Sequence, residues 1–185
     1  KIPYRDDKGN IIGIIGFAID ISERRKAEQQ QRTIIEGLRA ITKIADELIV
    51  SPDINTLFRF AVELAKDKLG LERCAIFMED GDYVKGSYGT NRYGRTADEH
   101  KQRFPKDKIW SERCRLLRPQ DPRWSIIEEP YLEWDGEKTL QIGKGEIAIT
   151  PIQSVHRAIG IFVNDNAISQ LPLDPAKQEV VAVYC

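Results

Sequence analysis

The pattern of apolar and polar residues first predicts a β-hairpin over residues 1–22 of this 185-residue chain. A turn rich in Asp, Gly and Asn at Asp6–Asn10 separates its two strands. The second strand, Ile11–Ile19, is apolar on both alternating sets of positions, which is typical of a strand buried in a larger sheet. We therefore expect residues 1–22 to be the C-terminal hairpin of a truncated domain.

Residues 23–50 are predicted to form one long helix, with Ser22 as a plausible N-cap. Apolar residues recur at alternating steps of four and three, the spacing of a heptad seam: Ile34, Leu38, Ile41, Ala45 and Leu48. A second stripe of Ile35, Ile44 and Ile49 widens this apolar face. We expect the helix to contact a partner helix on one side and its own domain on the other.

Residues 51–185 are predicted to form one domain that begins and ends with a helix. Ser51 and Pro52 are typical of a helix start, and Gly70 of a helix end. Thr96–Glu99 fits a capping box, which predicts a short helix that Pro105 would end. Two further helices are expected, at Ile109–Leu117 and after Asp174.

Alternating apolar residues and tight-turn signals predict five strands in this region. They are Arg73–Glu79, Tyr83–Tyr88, Ile126–Trp134, Glu146–Ile152 and Ala158–Asn164. This order of elements predicts an α+β fold, in which an antiparallel sheet carries its helices mainly on one face.

Charge and cysteine content exclude several classes of protein. The 28 Lys+Arg residues balance 29 Asp+Glu residues, which argues against a nucleic-acid binder. The longest apolar run, Ile11–Ile19, is far shorter than the ~20 residues that cross a bilayer, so no membrane contact is expected within this fragment. Cys74, Cys114 and Cys185 form no CxxC pair, which favours reduced thiols in the cytoplasm over a metal site.

Residues 5–28 resemble the C-terminal end of a PAS sensor domain. The resemblance rests on Arg5–Ile14, followed by the junction Asp20–Glu28 with the sequence Asp-Ile-Ser-Glu-Arg-Arg-Lys-Ala-Glu. In that family a closing strand leads through a short Asp-Ile-Thr/Ser element into an output helix. The resemblance implies that Asp20 and Arg24 couple the sheet to this helix.

Residues from about 34 to 185 look like a GAF domain. The resemblance rests on the helix Ile54–Leu69, the strand Cys74–Met78, and the strand pair Ala148–Ile152 and Ala158–Asn164. It implies a GAF-like sheet with a ligand pocket on one face. It also implies a bacterial sensor protein, whose histidine kinase or diguanylate cyclase output domain would lie outside this chain.

The segment that covers the ligand pocket in that family corresponds here to the basic residues 92–123. Guanidinium groups beside aromatic rings can hold an anionic, planar ligand by bidentate hydrogen bonds and stacking. The candidate ligand-binding residues are Trp110, Arg113, Arg115 and Trp124. A solvated basic surface is the alternative interpretation of the same segment. The cofactor, if there is one, stays unidentified: Cys114 precedes Arg115 rather than the histidine of bilin-binding relatives, and the cyclic-nucleotide motif of the family is incomplete.

We therefore predict a non-catalytic sensory module with no metal site, since no zinc-protease, P-loop or serine-hydrolase motif occurs. A homodimer through the helix 23–50, with the two helices parallel, would relay the state of one sensor to the next and to a downstream output domain, and the GAF pocket would take a small molecule. Two alternatives stay open. One is an enzyme on a GAF-like fold with Cys114 as a redox nucleophile, and the other is a structural dimerisation module without a ligand.

Overall fold

The computed structural model describes residues 2–16, 18–106, 123–154 and 158–185. The chain divides into two compact units, Lys1–Arg32 and Thr33–Cys185. No helix within the described residues is both long enough and apolar enough to cross a membrane.

The first unit contains the hairpin that the sequence predicts. Strand β1 (Ile2–Arg5) pairs antiparallel with β2 (Ile11–Ile15). The carboxylate of Asp6 accepts hydrogen bonds from the backbone N–H groups of Lys8 and Asn10, at 2.9 and 2.8 Å, and so closes the turn. Strand β2 ends at Ile15, earlier than the apolar run suggests.

Helix α1 (Ser22–Ile49) follows and continues into the second unit. The Asp20 carboxylate accepts a hydrogen bond from the Ser22 N–H at 2.8 Å. Hydrogen bonding to the side chain of Ser22, and to a smaller extent to its backbone, lowers the pKa of Asp20. Arg24 forms an exposed ion pair with Glu28 one turn further on, at 2.8 Å. Of the two residues implied by the PAS resemblance, Asp20 therefore lies just before α1 and Arg24 in its first turn, and their coupling role stays a prediction.

Helix α2 (Ile54–Leu69) starts two residues later than Ser51 and Pro52 predict. Its N-cap is Asp53, whose carboxylate accepts from both the N–H and the hydroxyl of Thr56. At the other end Gly70 adopts a left-handed conformation, with φ of 65°, and its N–H bonds back to the last turn, as predicted.

The second unit is built on an antiparallel sheet of seven strands among the described residues. The strands are β3 (Arg73–Asp80), β4 (Tyr83–Thr90), β5 (Thr96–Asp98), β6 (Arg103–Pro105), β7 (Ser125–Trp134), β8 (Thr139–Gln153) and β9 (Ala158–Asp165). Their spatial order is β5-β4-β3-β9-β8-β7, and β6 also pairs with β4. Helix α3 (Pro175–Tyr184) follows the sheet and is capped by Asp174. The α+β fold class predicted from the sequence is confirmed.

The expected helix at Thr96–Glu99 is wrong. Thr96 and Asp98 pair instead with Thr90 and Tyr88 of β4, and Pro105 lies at the end of β6 rather than of a helix. Pairing with the preceding strand β4 outweighs the local capping signal here. The other short helix, predicted at Ile109–Leu117, lies outside the described residues.

The hydrophobic core of the described residues lies between the sheet and helices α1, α2 and α3. It contains residues from each of these helices, together with alternate positions of the central strands β3 and β9. Its most buried members include Ile44 of α1, Val62 of α2, Val181 of α3 and Phe162 of β9. These helices thus cover one face of the sheet.

Candidate functional site

A cavity of about 140 Å³ lies against the sheet face that the core does not use. Strand β3 places Cys74 and Ile76 in the core, and the intervening Ala75 and Phe77 line the cavity. Apolar side chains supply much of its remaining wall: Phe104, Leu132, Ile147 and Val163. The cavity therefore has the composition of a small-molecule site, an apolar enclosure with a few polar groups.

Arg73 is the central polar group of the cavity and is only 6% exposed. Its Nη2 donates to the Leu132 carbonyl at 2.6 Å, and its Nε donates to the Thr90 carbonyl at 3.4 Å. Its Nη1 lies 3.6 Å from the Asp165 carboxylate, beyond hydrogen-bond distance. That nitrogen is buried without a hydrogen-bond acceptor among the described residues. The guanidinium is thus held in place, and the N–H groups of Nη1 are still available as donors.

Asp165 reaches the cavity from β9, where it stands opposite Arg73 in the register of the sheet. Its carboxylate accepts from the Ala167 N–H at 3.0 Å. Burial raises the pKa of Asp165, and the nearby Arg73 opposes that rise only in part. The two residues form a buried pair of opposite charges at one end of the cavity.

Glu99 is a second acidic residue in the cavity wall and is 7% exposed. Its N–H donates to the Ser87 carbonyl at 2.9 Å, and its own carbonyl accepts from the Gln102 N–H at 2.8 Å. Its carboxyl group lies so close to Gly89 that a Cβ at that position would overlap it. Burial raises the pKa of Glu99 to about 7; Arg73 opposes this rise. A proton on this group is therefore gained or lost near neutral pH.

Trp124 is the one candidate ligand residue that the structure describes, and it does not line this cavity. Its indole N–H donates to the Glu179 carboxylate of α3 at 3.0 Å. The other three candidates, Trp110, Arg113 and Arg115, lie outside the described residues, as does Cys114. The sheet-face cavity is lined by other groups, which the sequence analysis did not single out.

One signal in the sequence pointed to these missed groups. Arg73 and Asp165 are opposite charges that directly flank two apolar strands. If these two strands were known to be neighbours in the sheet, Arg73 and Asp165 would be predicted to lie side by side. Glu99 carries no such signal, since the capping-box pattern places it in a predicted helix.

The five residues of the predicted heptad seam face two directions on α1. Ile41 and Leu48 pack against the hydrophobic core, and Ile34 is half-buried. Leu38 is 41% exposed and Ala45 is exposed. The exposed residues belong to a different set with the same spacing, which we call the outer row: Ile35, Leu38, Thr42, Ala45 and Ile49. The steps along it are 3, 4, 3 and 4.

Comparisons with known proteins identify the fold. No protein-family model matches the chain, and no curated protein matches its sequence. Among solved structures, the GAF domain of a phosphoenolpyruvate-protein phosphotransferase from Coxiella burnetii is 14% identical, with a TM-score of 0.57 over 81% of this chain and 88% of that one. The GAF domain of the corresponding Acinetobacter protein is 12% identical, with a TM-score of 0.56 over 80% and 87%.

A third similar structure is the chromophore-binding domain of a Stigmatella aurantiaca bacteriophytochrome. It is 10% identical, with a TM-score of 0.58 over 82% of this chain and 58% of that one. Such low identities show the fold alone. This chain has a GAF-like fold, as its sequence predicted, and the PAS interpretation of residues 1–22 stays a prediction.

Proposed function

We propose that this chain is a non-catalytic sensory module of a cytoplasmic signal-transduction protein. In this proposal the second unit binds a small molecule in the sheet-face cavity, and α1 carries the resulting change along a homodimer. The GAF-like fold supports the proposal, since its structural neighbours include the GAF domain of a phosphoenolpyruvate-protein phosphotransferase and the chromophore-binding domain of a bacteriophytochrome. Residues 1–22 would be the end of a preceding PAS domain, and the output domain would lie elsewhere in the protein.

The observation that carries the proposal is the outer row of α1. Ile35, Leu38 and Ile49 are 42%, 41% and 81% exposed, although all three are large and apolar. The Thr42 hydroxyl donates to the Leu38 carbonyl at 3.2 Å, so its hydrogen-bonding need is met within the helix. An apolar row with heptad spacing is the pattern by which one helix packs on another.

A second copy of this chain is the occupant that we propose for the outer row. The same helix turns its neighbouring face, with Ile41, Ile44 and Leu48, to the core beneath. A dimer through the outer row therefore leaves the core contacts of α1 intact. A small shift in either unit would then change the packing of two helices at once, and such interfaces switch between discrete arrangements.

The test compares charge substitutions on two faces of α1. We expect the wild-type chain to sediment as a dimer at micromolar concentration and Leu38→Glu to sediment as a monomer. Lys43→Glu, an exposed position outside the outer row, should stay dimeric. A monomeric wild type, or a Leu38→Glu variant that still dimerises, would refute the relay.

Disulfide cross-linking then tests the orientation of the helices. In a Cys114→Ser background, Ile35→Cys should cross-link to the same position of the second copy if the helices are parallel. If Ile35→Cys cross-links only to a second copy that carries Ile49→Cys, the helices are antiparallel. That result would contradict a relay along one direction.

A further inference from the structure

The cavity on the sheet has a polar end and an apolar end. Arg73 and Asp165 stand opposite each other at one end of the β3–β9 ladder. Phe77 lies four residues along β3, roughly 13 Å away at the usual strand rise. Its ring meets that of Phe104 edge to face, with centroids 5.9 Å apart. A ligand that fills this space needs a polar head at one end and an apolar body at the other.

The charges at the polar end favour a ligand head that accepts hydrogen bonds over one that donates them. Arg73 and Asp165 carry opposite charges and largely compensate each other. Glu99, the third ionisable group in the wall, has a pKa of about 7 and so is partly neutral at physiological pH. Among the described residues that line the cavity, Arg73 Nη1 is buried without a hydrogen-bond acceptor, and leaving a buried guanidinium donor without an acceptor is costly.

We propose that the cavity binds a small monocarboxylate, whose carboxylate accepts from Arg73 Nη1 and whose apolar body lies toward Phe77 and Phe104. This inference deepens the proposed function and depends on it, because it names the class of molecule that the sensory unit would take. The size of the cavity, about 140 Å³, suits one ring or a short branched chain. A charge-assisted bond to the guanidinium gives the head its specificity.

Binding of such an anion is coupled to a proton on Glu99. The charged groups that act on its carboxyl are Arg73 from β3, Glu133 from β7 and Asp98 from β5. A ligand carboxylate bound at Arg73 adds a further negative charge to the cavity that Glu99 lines, which favours the protonated form of Glu99. At pH 7.5, formation of the complex therefore takes up at most one proton from solvent. The protonated Glu99 can then donate its O–H to the ligand.

Three isosteric probes separate the signs of charge: benzoate, neutral benzamide and cationic benzamidine. Calorimetric titration of the full chain should show that benzoate binds, that benzamide binds at least tenfold more weakly and that benzamidine does not bind. 3-Methylbutanoate provides a smaller carboxylate in case the ring is too large. Titrations in HEPES and in Tris at pH 7.5 give the number of protons taken up, from the difference in observed enthalpy.

Three variants assign the contacts. Arg73→Gln should weaken carboxylate binding at least tenfold, whereas Arg103→Gln removes an equal charge from an exposed side chain and should change it less than twofold. Thermal melts establish that each variant is folded; where Arg73→Gln is not, Arg73→Lys takes its place. Glu99→Gln should still bind the carboxylate, but the difference between the two buffers should disappear.

The proposal is overturned if benzamidine binds more tightly than benzoate, since Glu99 or Asp165 would then be the anchor. It is also overturned if neither carboxylate binds, or if the Arg73 variants bind as the wild type does. These failures are distinct from failure of the relay. If the chain dimerises through the outer row but binds no carboxylate, the proposed relay is supported and the proposed ligand class is wrong.

Discussion

Gly37 of α1 lies directly against Val180 of α3. A Cβ added at position 37 would lie 2.5 Å from both methyl groups of Val180. Gly37→Ala should therefore destabilise the fold even though alanine is the better helix former. Overpacking of this kind costs about 1–3 kcal/mol, against a gain of roughly 0.5–1 kcal/mol from helix propensity.

Urea unfolding of four proteins tests this contact: wild type, Gly37→Ala, Val180→Ala and the double variant. The double variant should recover part of the loss, because the shortened side chain at position 180 makes room for the new methyl group. Gly13→Ala is the control, since a Cβ there meets nothing within 4 Å. Simple additivity of the two single losses would contradict a direct steric contact.

The same close approach illustrates what the sequence could and could not predict. Periodicity and turn signals predict α1, α2 and five strands of the second unit, because their apolar residues repeat at the spacing of one buried face. It could not determine which apolar stripe of α1 meets the core, since Ile34 and Ile35 belong to overlapping rows with equal spacing. That choice depends on α3, more than 140 residues away, and on the missing side chain at Gly37.

The residues that line the cavity cannot be identified from the sequence for a related reason. Glu99 becomes a wall residue only because β5 pairs with β4 and brings the following turn onto the sheet. Locally its neighbours resemble a helix start. Arg73 and Asp165 were visible as charges at strand ends, but only the β3–β9 register makes them a pair.

Glu99 should make the stability of the fold fall as pH rises through the neutral range. Its pKa is raised from 4.5 to about 7 in the folded chain, so the folded state keeps a proton that the unfolded state has released. This contribution to the free energy of unfolding is complete below about pH 4.5 and lost above about pH 7. A shift of this size corresponds to about 3 kcal/mol at most.

Urea unfolding at pH 5 and pH 8 measures the effect. The difference in unfolding free energy between wild type and Glu99→Gln should change with pH, because glutamine does not titrate. Glu129→Gln, an exposed position on β7, should leave the wild-type pH dependence unaltered. If Glu99→Gln and wild type lose stability in parallel between the two pH values, Glu99 is not the titrating group.

Cys74 should be inert to thiol reagents as long as the chain is folded. Burial raises the pKa of this thiol to about 12, and its Sγ lies 3.6 Å from the Val62 carbonyl in the core. The thiolate, which is the reactive form, is then about one part in 10⁴ at pH 8. A Cys114→Ser/Cys185→Ser variant leaves Cys74 as the sole thiol, so its reaction with a disulfide reagent should follow unfolding in urea. Rapid reaction without urea would show that this core position opens.

The start of α2 depends on Asp53 rather than on Ser51. Asp53 has the extended conformation of an N-cap, and its two carboxylate oxygens accept from the N–H and hydroxyl of Thr56 at 2.9 and 2.8 Å. These bonds lower the pKa of Asp53. The Ser51 hydroxyl, by contrast, is buried without a hydrogen-bond partner among the described residues.

Asp53→Ala should therefore lower the melting temperature. Asp53→Asn should lower it much less, because asparagine caps helices about as well as aspartate. Ser51→Ala removes a buried hydroxyl that makes no bond, so the melting temperature should stay the same or rise. Thermal melts followed by circular dichroism at neutral pH compare the three variants. If Ser51→Ala lowered the melting temperature more than Asp53→Ala does, the helix start would depend on Ser51, as the sequence predicts.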